Sequence, residues 1–131
     1  MKFYTVDEAT ALLPELSLIL EELRGAFLAL RDIRVTMAAH SRGASADGHL
    51  LADPFEEREG VNPIERLQAR LEGAVARLDR WGIEVKDPAK GLIDFFHERE
   101  GRTVYLCYLL GEAEIAYWHE LEAGFAGRQR L

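Results

Sequence analysis

This chain has few of the residues from which cross-links and catalytic devices are usually built. It holds one cysteine, Cys107, which excludes an internal disulfide and every multi-cysteine zinc motif. Its serines are Ser17, Ser41 and Ser45, and none sits in the elbow of a nucleophilic hydrolase. Phosphate-loop and dinucleotide fingerprints are absent as well. Cations are outnumbered: Asp and Glu exceed Lys and Arg by 23 to 16, for a formal charge of -7. Duplex-wide phosphate contact depends on clustered basic groups, so nucleic acid is disfavoured as a partner. No run approaches the roughly 20 apolar residues that span a bilayer. Met1-Lys2-Phe3-Tyr4-Thr5 enters a helix start without the apolar stretch of a secretory signal. A soluble, cytoplasmic protein with no membrane contact is expected.

What the chain does have is material for a core. At 131 residues and 48% hydrophobic, it suffices for a single domain spanning 1–131 and is too short for two. Thr5-Val6-Asp7-Glu8 reads as a capping box, in which the threonine hydroxyl and the glutamate carboxylate each accept from the other's amide. From there Ala9, Leu13, Leu16, Leu20, Leu23, Phe27, Leu30 and Met37 recur at alternating three and four spacings, with Arg34 the one polar entry in the series, a heptad-like seam. A helix over about 6–41 follows. Pro14 lacks the amide that would bond to the Thr10 carbonyl, so the first turns are expected to bend away or form a separate piece.

Asn62-Pro63-Ile64-Glu65 is a second helix start, with a capping asparagine, proline at the first position and an acid at the positive end of the dipole. Ile64, Leu67, Leu71, Ala74, Leu78 and Trp81 form its seam, and Gly82 ends it. Two striped helices joined in sequence predict an antiparallel hairpin of about 6–41 and 62–81. Between them, residues 42–61 are rich in glycine and acids. This segment reads as a mobile loop, or as a flap anchored by Leu50, Leu51 and Phe55.

After Gly82 the period changes. Ile83–Lys86 alternates, Asp87-Pro88-Ala89-Lys90-Gly91 has turn chemistry, and Leu92–His97 and Thr103–Leu110 join through Glu98-Arg99-Glu100-Gly101 as a hairpin. Glu112–Glu120 is read as a further strand in preference to a short helix. A β-meander over about 83–120 follows, with three or four strands. The tail 121–131 is expected to dock through Phe125. The fold class is α+β, a long helical hairpin with a small antiparallel sheet in the carboxyl-terminal third.

Several segments together carry a family resemblance. They are Phe3-Tyr4-Thr5-Val6-Asp7-Glu8-Ala9, Leu12-Leu13-Pro14-Glu15-Leu16, Lys86-Asp87-Pro88, Gly91-Leu92-Ile93-Asp94-Phe95, Gly101-Arg102, Leu106-Cys107, Gly111-Glu112, Trp118-His119 and Gly124-Phe125-Ala126-Gly127-Arg128. The chain resembles the bacterial family called domain of unknown function 2203 over essentially its whole length. Phe96 stands where the family commonly has proline, and Tyr108 where tryptophan is common; neither removes a candidate polar group. The resemblance implies a small bacterial cytoplasmic protein and assigns no reaction.

The groups able to bind or react cluster in the same third. Asp94 lies between Ile93 and Phe95 in an apolar strand, where a buried carboxylate needs a cation, a metal or amide donors. On a solvent face it would simply pair with Lys86, Lys90 or Arg102. Asp94, Glu112 and His119 together offer the oxygen and imidazole donors that hold Zn, Mn or Fe. The spacing matches no established metal motif, and a histidine beside a tryptophan is more often packed against a carbonyl. Arg102 and Arg128 each follow a glycine and are suited to fork onto a small anion, unless they bridge internally to Asp94, Glu112 or Glu114. His97 is ambiguous at the hairpin end, His40 and His49 face solvent, and Cys107 reads as a small buried packing residue. No catalytic residue is identifiable.

The leading function is therefore a binding or interaction module with a polar site in the carboxyl-terminal sheet, its ligand a small anion, a metal or a protein. A metal-dependent enzyme using Asp94, Glu112 and His119 is the alternative, and a purely structural helical partner the third. The first helix exceeds what the second can cover, so a homodimer through the helices is expected.

Overall fold

The computed structural model describes residues 1–43 and 62–131. Residues 44–61, with His49 and the proposed flap anchors Leu50, Leu51 and Phe55, lie outside the described residues. The first helix, α1 (Val6–Gly43), opens as its capping box dictates: the Glu8 amide donates to Thr5 Oγ1 at 3.0 Å and the Thr5 amide to Glu8 Oε1 at 2.9 Å. Pro14 lies inside this helix without dividing it, which corrects the expectation of a separate leading piece. The reason is the stripe on the opposite side. Ala9, Leu13 and Leu16 are all buried in the core while Pro14 is exposed. Burying all three requires helical register across the proline, and one missing backbone bond on the solvent side costs less than losing that packing.

The second helix, α2 (Pro63–Arg80), starts under Asn62, whose Oδ1 accepts from the Ile64 amide at 2.8 Å. It stops at Trp81 and Gly82, whose amides bond back to Leu78 and Asp79. The Tyr4 hydroxyl donates to the Trp81 carbonyl at 2.5 Å, satisfying one of the terminal acceptors. The helices run antiparallel: Arg70 pairs with Glu22 and Arg77 with Glu15, so advancing along α2 retreats along α1. Of the seam on α1, Met37 is 37% exposed, because that stretch lies past the reach of the shorter partner.

Five strands follow, β1 (Ile83–Asp87), β2 (Leu92–Arg99), β3 (Arg102–Leu109), β4 (Tyr117–His119) and β5 (Gln129–Arg130). They form one antiparallel sheet in sequence order. The architecture is α+β, as expected, with one strand more than the sequence led us to count. The fifth comes from the tail, which pairs with β4 and is tied by Arg128; Phe125 stays 46% exposed. Within Glu112–Glu120 only Tyr117–His119 is strand, since residues 111–116 are taken up by a turn around Glu112.

The β2–β3 hairpin closes over Glu100 and Gly101, with φ of 51° and 77°. Two positive torsions make the turn whose twist matches that of the strands. At the β1–β2 turn, the Ala89 amide donates to Asp87 Oδ1 and Arg24 Nε reaches the Ala89 carbonyl at 2.9 Å, pinning α1 to the sheet. A Cβ on Gly91 would stand 2.7 Å from Leu110 Cβ, so only glycine allows that approach. β1 pairs with β2 no further than Phe95, and the amino-terminal segment takes over the free edge: Phe3 bridges Phe96 in parallel, and the Tyr4 amide donates to the Phe96 carbonyl at 2.8 Å.

One face of the sheet packs on the helices. Ile83, Ile93, Phe95, Val104, Leu106, Tyr108 and Trp118 share a core with Leu13, Leu16, Leu20, Leu23, Ala74 and Leu78. Alternation along each strand then sends Glu84, Asp94, Tyr105, Cys107, Tyr117 and His119 to the opposite face. Among the described residues, no helix is long and apolar enough to cross a membrane.

Candidate functional site

The outer face of the sheet carries two neighbouring rows. Glu84, Asp94, Cys107 and Tyr117 are successive partners across β1–β4, and Phe96, Tyr105 and His119 are partners across β2–β4. Asp94 points outward because Ile93 and Phe95 both point into the core. Outward does not mean wet: Asp94 and Cys107 are each 1% exposed and His119 2%. Their neighbours form a roof. The Tyr105 ring lies 5.4 Å from the His119 ring, with the Lys86 ammonium 4.7 Å above Tyr105, and the Arg128 guanidinium lies 4.0 Å over Tyr117.

His119 is held at both nitrogens. Nδ1 lies 2.7 Å from the Glu120 carbonyl, which can only accept, so Nδ1 carries a hydrogen. Nε2 lies 3.0 Å from Asp94 Oδ2. One further proton therefore sits between His119 and Asp94, as imidazolium facing carboxylate or as neutral imidazole facing carboxylic acid. Burial is the largest influence on Asp94 and raises its pKa, opposed by His119, Cys107 and Lys86. Asp94 Oδ1 is buried and meets no hydrogen bond of normal geometry, although the Cys107 thiol lies close enough to pull the Asp94 pKa down. An acceptor left in that state costs about 1–3 kcal/mol.

The thiol is no nucleophile. Burial first, then the negative charge of Asp94, pushes the Cys107 pKa up to about 12, so it is protonated near neutrality. His119 offers it no free nitrogen, which rules out the Cys–His relay of thiol catalysis. A different arrangement stands out: one donor each from Asp94, Cys107 and His119 lie within 4.8 Å of one another, the described residues' one such buried trio.

The other residues singled out from the sequence lie elsewhere. The Glu112 carboxylate accepts from the Leu109 amide at 2.7 Å and from Arg128 at 2.7 and 2.9 Å, and is turned away from His119 toward the tail. Arg128 is committed to that carboxylate and to the Cys107 carbonyl at 3.4 Å. Arg102 is exposed and paired with Glu120 at 2.5 Å. Glu114 faces Arg130 at 3.8 Å. His97 lies on the helix side of the sheet, where Nδ1 donates to the Tyr4 carbonyl at 2.7 Å and ties the amino terminus down. His40 is exposed.

Cys107 is the member that sequence reasoning left in the packing. A loop over all of Glu98–Gly101 would centre between Arg99 and Glu100 and set Asp94 opposite Tyr105. The tighter turn over Glu100 and Gly101 slides the register by two residues and brings Cys107 opposite Asp94 instead. Gly101 preceded by a residue able to take positive φ was the available signal.

Neither the curated proteins nor the solved structures contain a match to this chain. The sequence profile of the family described as "Uncharacterized conserved protein (DUF2203)" matches residues 2–131, essentially the full length, and the chain belongs to that family.

Proposed function

We propose that this protein is a non-catalytic binding module whose ligand site is the Asp94–His119 pair on the outer face of the sheet, and that its ligand is cationic. The observation that carries the reading is Oδ1 of Asp94, a buried carboxylate oxygen without a hydrogen bond of normal geometry. A buried carboxylate oxygen with no donor is completed by a ligand that brings positive charge or a hydrogen-bond donor. Anion binding is the poorer fit: Arg102 is paired with Glu120, and Arg128, although its buried Nε has no partner, gives its Nη2 to Glu112. An enzyme using Asp94, Glu112 and His119 as metal ligands would first have to break the contacts of Glu112 with Arg128 and the Leu109 amide.

The test is thermal unfolding of the full chain with Zn2+, Mn2+, methylammonium or methylguanidinium as probes, set beside Asp94→Asn, which keeps the shape and removes the charge. At least one probe should raise the Tm of the wild type and leave Asp94→Asn unmoved. Equal responses of the two proteins to every probe would defeat the reading. We further propose that the module works in the cytoplasm as a homodimer joined through α1, where Val35 is 62% and Met37 37% exposed beyond the span of α2.

A further inference from the structure

The cation site can be specified further, on the footing of the reading above. We propose that Asp94, Cys107 and His119 form a three-ligand site for a thiophilic divalent ion of the zinc type, with Cys107 bound as thiolate.

Four observations converge on it. The donors come from three adjacent strands, β2, β3 and β4, whose register fixes their spacing. They already lie within 4.8 Å of one another. Donors around a tetrahedral zinc stand roughly 3.3–3.6 Å apart, from metal–ligand lengths of about 2.0–2.3 Å, so the set has to draw in by no more than about 1.5 Å. The Glu120 carbonyl holds the Nδ1 hydrogen of His119, which leaves Nε2 as the nitrogen that faces Asp94 and can ligate once the proton between them is displaced. That is the outer contact by which proteins orient a metal-binding imidazole. Finally, Asp94 Oδ1 is buried with no partner, while Oδ2 occupies the position opposite Nε2.

Charge and ligand type narrow the ion. A thiolate and a carboxylate carry two negative charges, which a divalent ion cancels inside a pocket that solvent barely reaches. Sulfur and imidazole favour zinc, cobalt or copper and argue against calcium, magnesium and manganese, which prefer all-oxygen sites. Binding displaces two protons, one from the Cys107 thiol and one shared by Asp94 and His119, while the hydrogen on Nδ1 stays. The fourth tetrahedral position is left to a donor from outside the trio.

The test uses the full reduced chain, freed of metal by chelation and titrated with Co2+ and then Zn2+. One equivalent of Co2+ should bind, with the thiolate-to-cobalt charge-transfer absorption and the intense visible bands of tetrahedral cobalt. Two protons should be released as Co2+ enters the apo site, and Zn2+ should then displace Co2+ with no further release. Cys107→Ser should abolish the charge-transfer band, and both it and His119→Gln should weaken Zn2+ binding by more than about 100-fold, the upper loss for outer-shell partners. Folding of the variants is checked by circular dichroism. Glu112→Gln, outside the trio, should retain the affinity. Cobalt bound without the thiolate band, or binding lost in Glu112→Gln and kept in Cys107→Ser, would overturn this assignment. If neither metal binds while methylguanidinium still stabilises wild type over Asp94→Asn, the metal assignment falls and the cationic-ligand reading stands. If no probe acts at Asp94, both fall.

Discussion

Three ionisable side chains, Asp94, Cys107 and His119, are buried together on the outer face of the sheet. Asp94 and His119 hold one proton between them, and Cys107 holds its own up to about pH 12. The thiol's shift has a direct consequence for stability. A group whose pKa is raised on folding binds its proton more tightly in the native state, so its contribution is complete below the unfolded value and is lost as pH rises through the native one. For Cys107 that window runs from 9.0 to about 12. Wild type should therefore lose stability relative to Cys107→Ala across that range and show no such divergence below it, as read by urea unfolding at stepped pH. In the native protein at pH 8, the same thiol should react with a disulfide reagent far more slowly than in urea. A fast native reaction would show an accessible thiolate and contradict the burial.

The β2–β3 hairpin is the element on which the site depends, because its two-residue turn decides which side chains face each other. Glu100 occupies the first of the two positive-φ positions there, at 51°. A residue with a Cβ stands in that region at a cost of roughly 1–2 kcal/mol, which asparagine relieves in part through its own local hydrogen bonds. Glu100→Asn should therefore stabilise the protein by about 0.5–1 kcal/mol in urea titration, with the slope of the unfolding transition unchanged. Cobalt or probe binding should be untouched, since the register stays the same. A destabilised Glu100→Asn would mean that the turn has another geometry, and with it another pairing for Asp94.

At the scale of the whole molecule, the 38-residue α1 is about 57 Å long and the 18-residue α2 about 27 Å, at 1.5 Å per residue. The overhang carries Val35 and Met37 into solvent. Light scattering after size exclusion should report a dimer for the wild type and a monomer for Val35→Glu; a wild-type monomer at high micromolar concentration would dismiss the homodimer. The helices, their caps and the α+β class were all legible in the sequence. Such features follow from local rules: a threonine and a glutamate three apart, a proline after an asparagine, apolar residues every three or four positions. Local rules misjudged Pro14, where packing of Ala9, Leu13 and Leu16 overrides the missing amide, and they missed β5, whose two residues become a strand only because β4 offers an edge. Two of the three members of the candidate cluster were legible. Asp94 and His119 were marked by being ionisable groups among apolar ones. Cys107 and Glu112 exchanged places: the first entered the cluster through a register set by the hairpin turn, and the second left it because Arg128, 16 residues away in the chain, folds back onto it. Sequence alone determined which surfaces must be buried, since periodicity and capping act within a few residues. Only the tertiary structure decided which buried polar groups meet, since strand register and the return of the tail bring together side chains that nothing local connects.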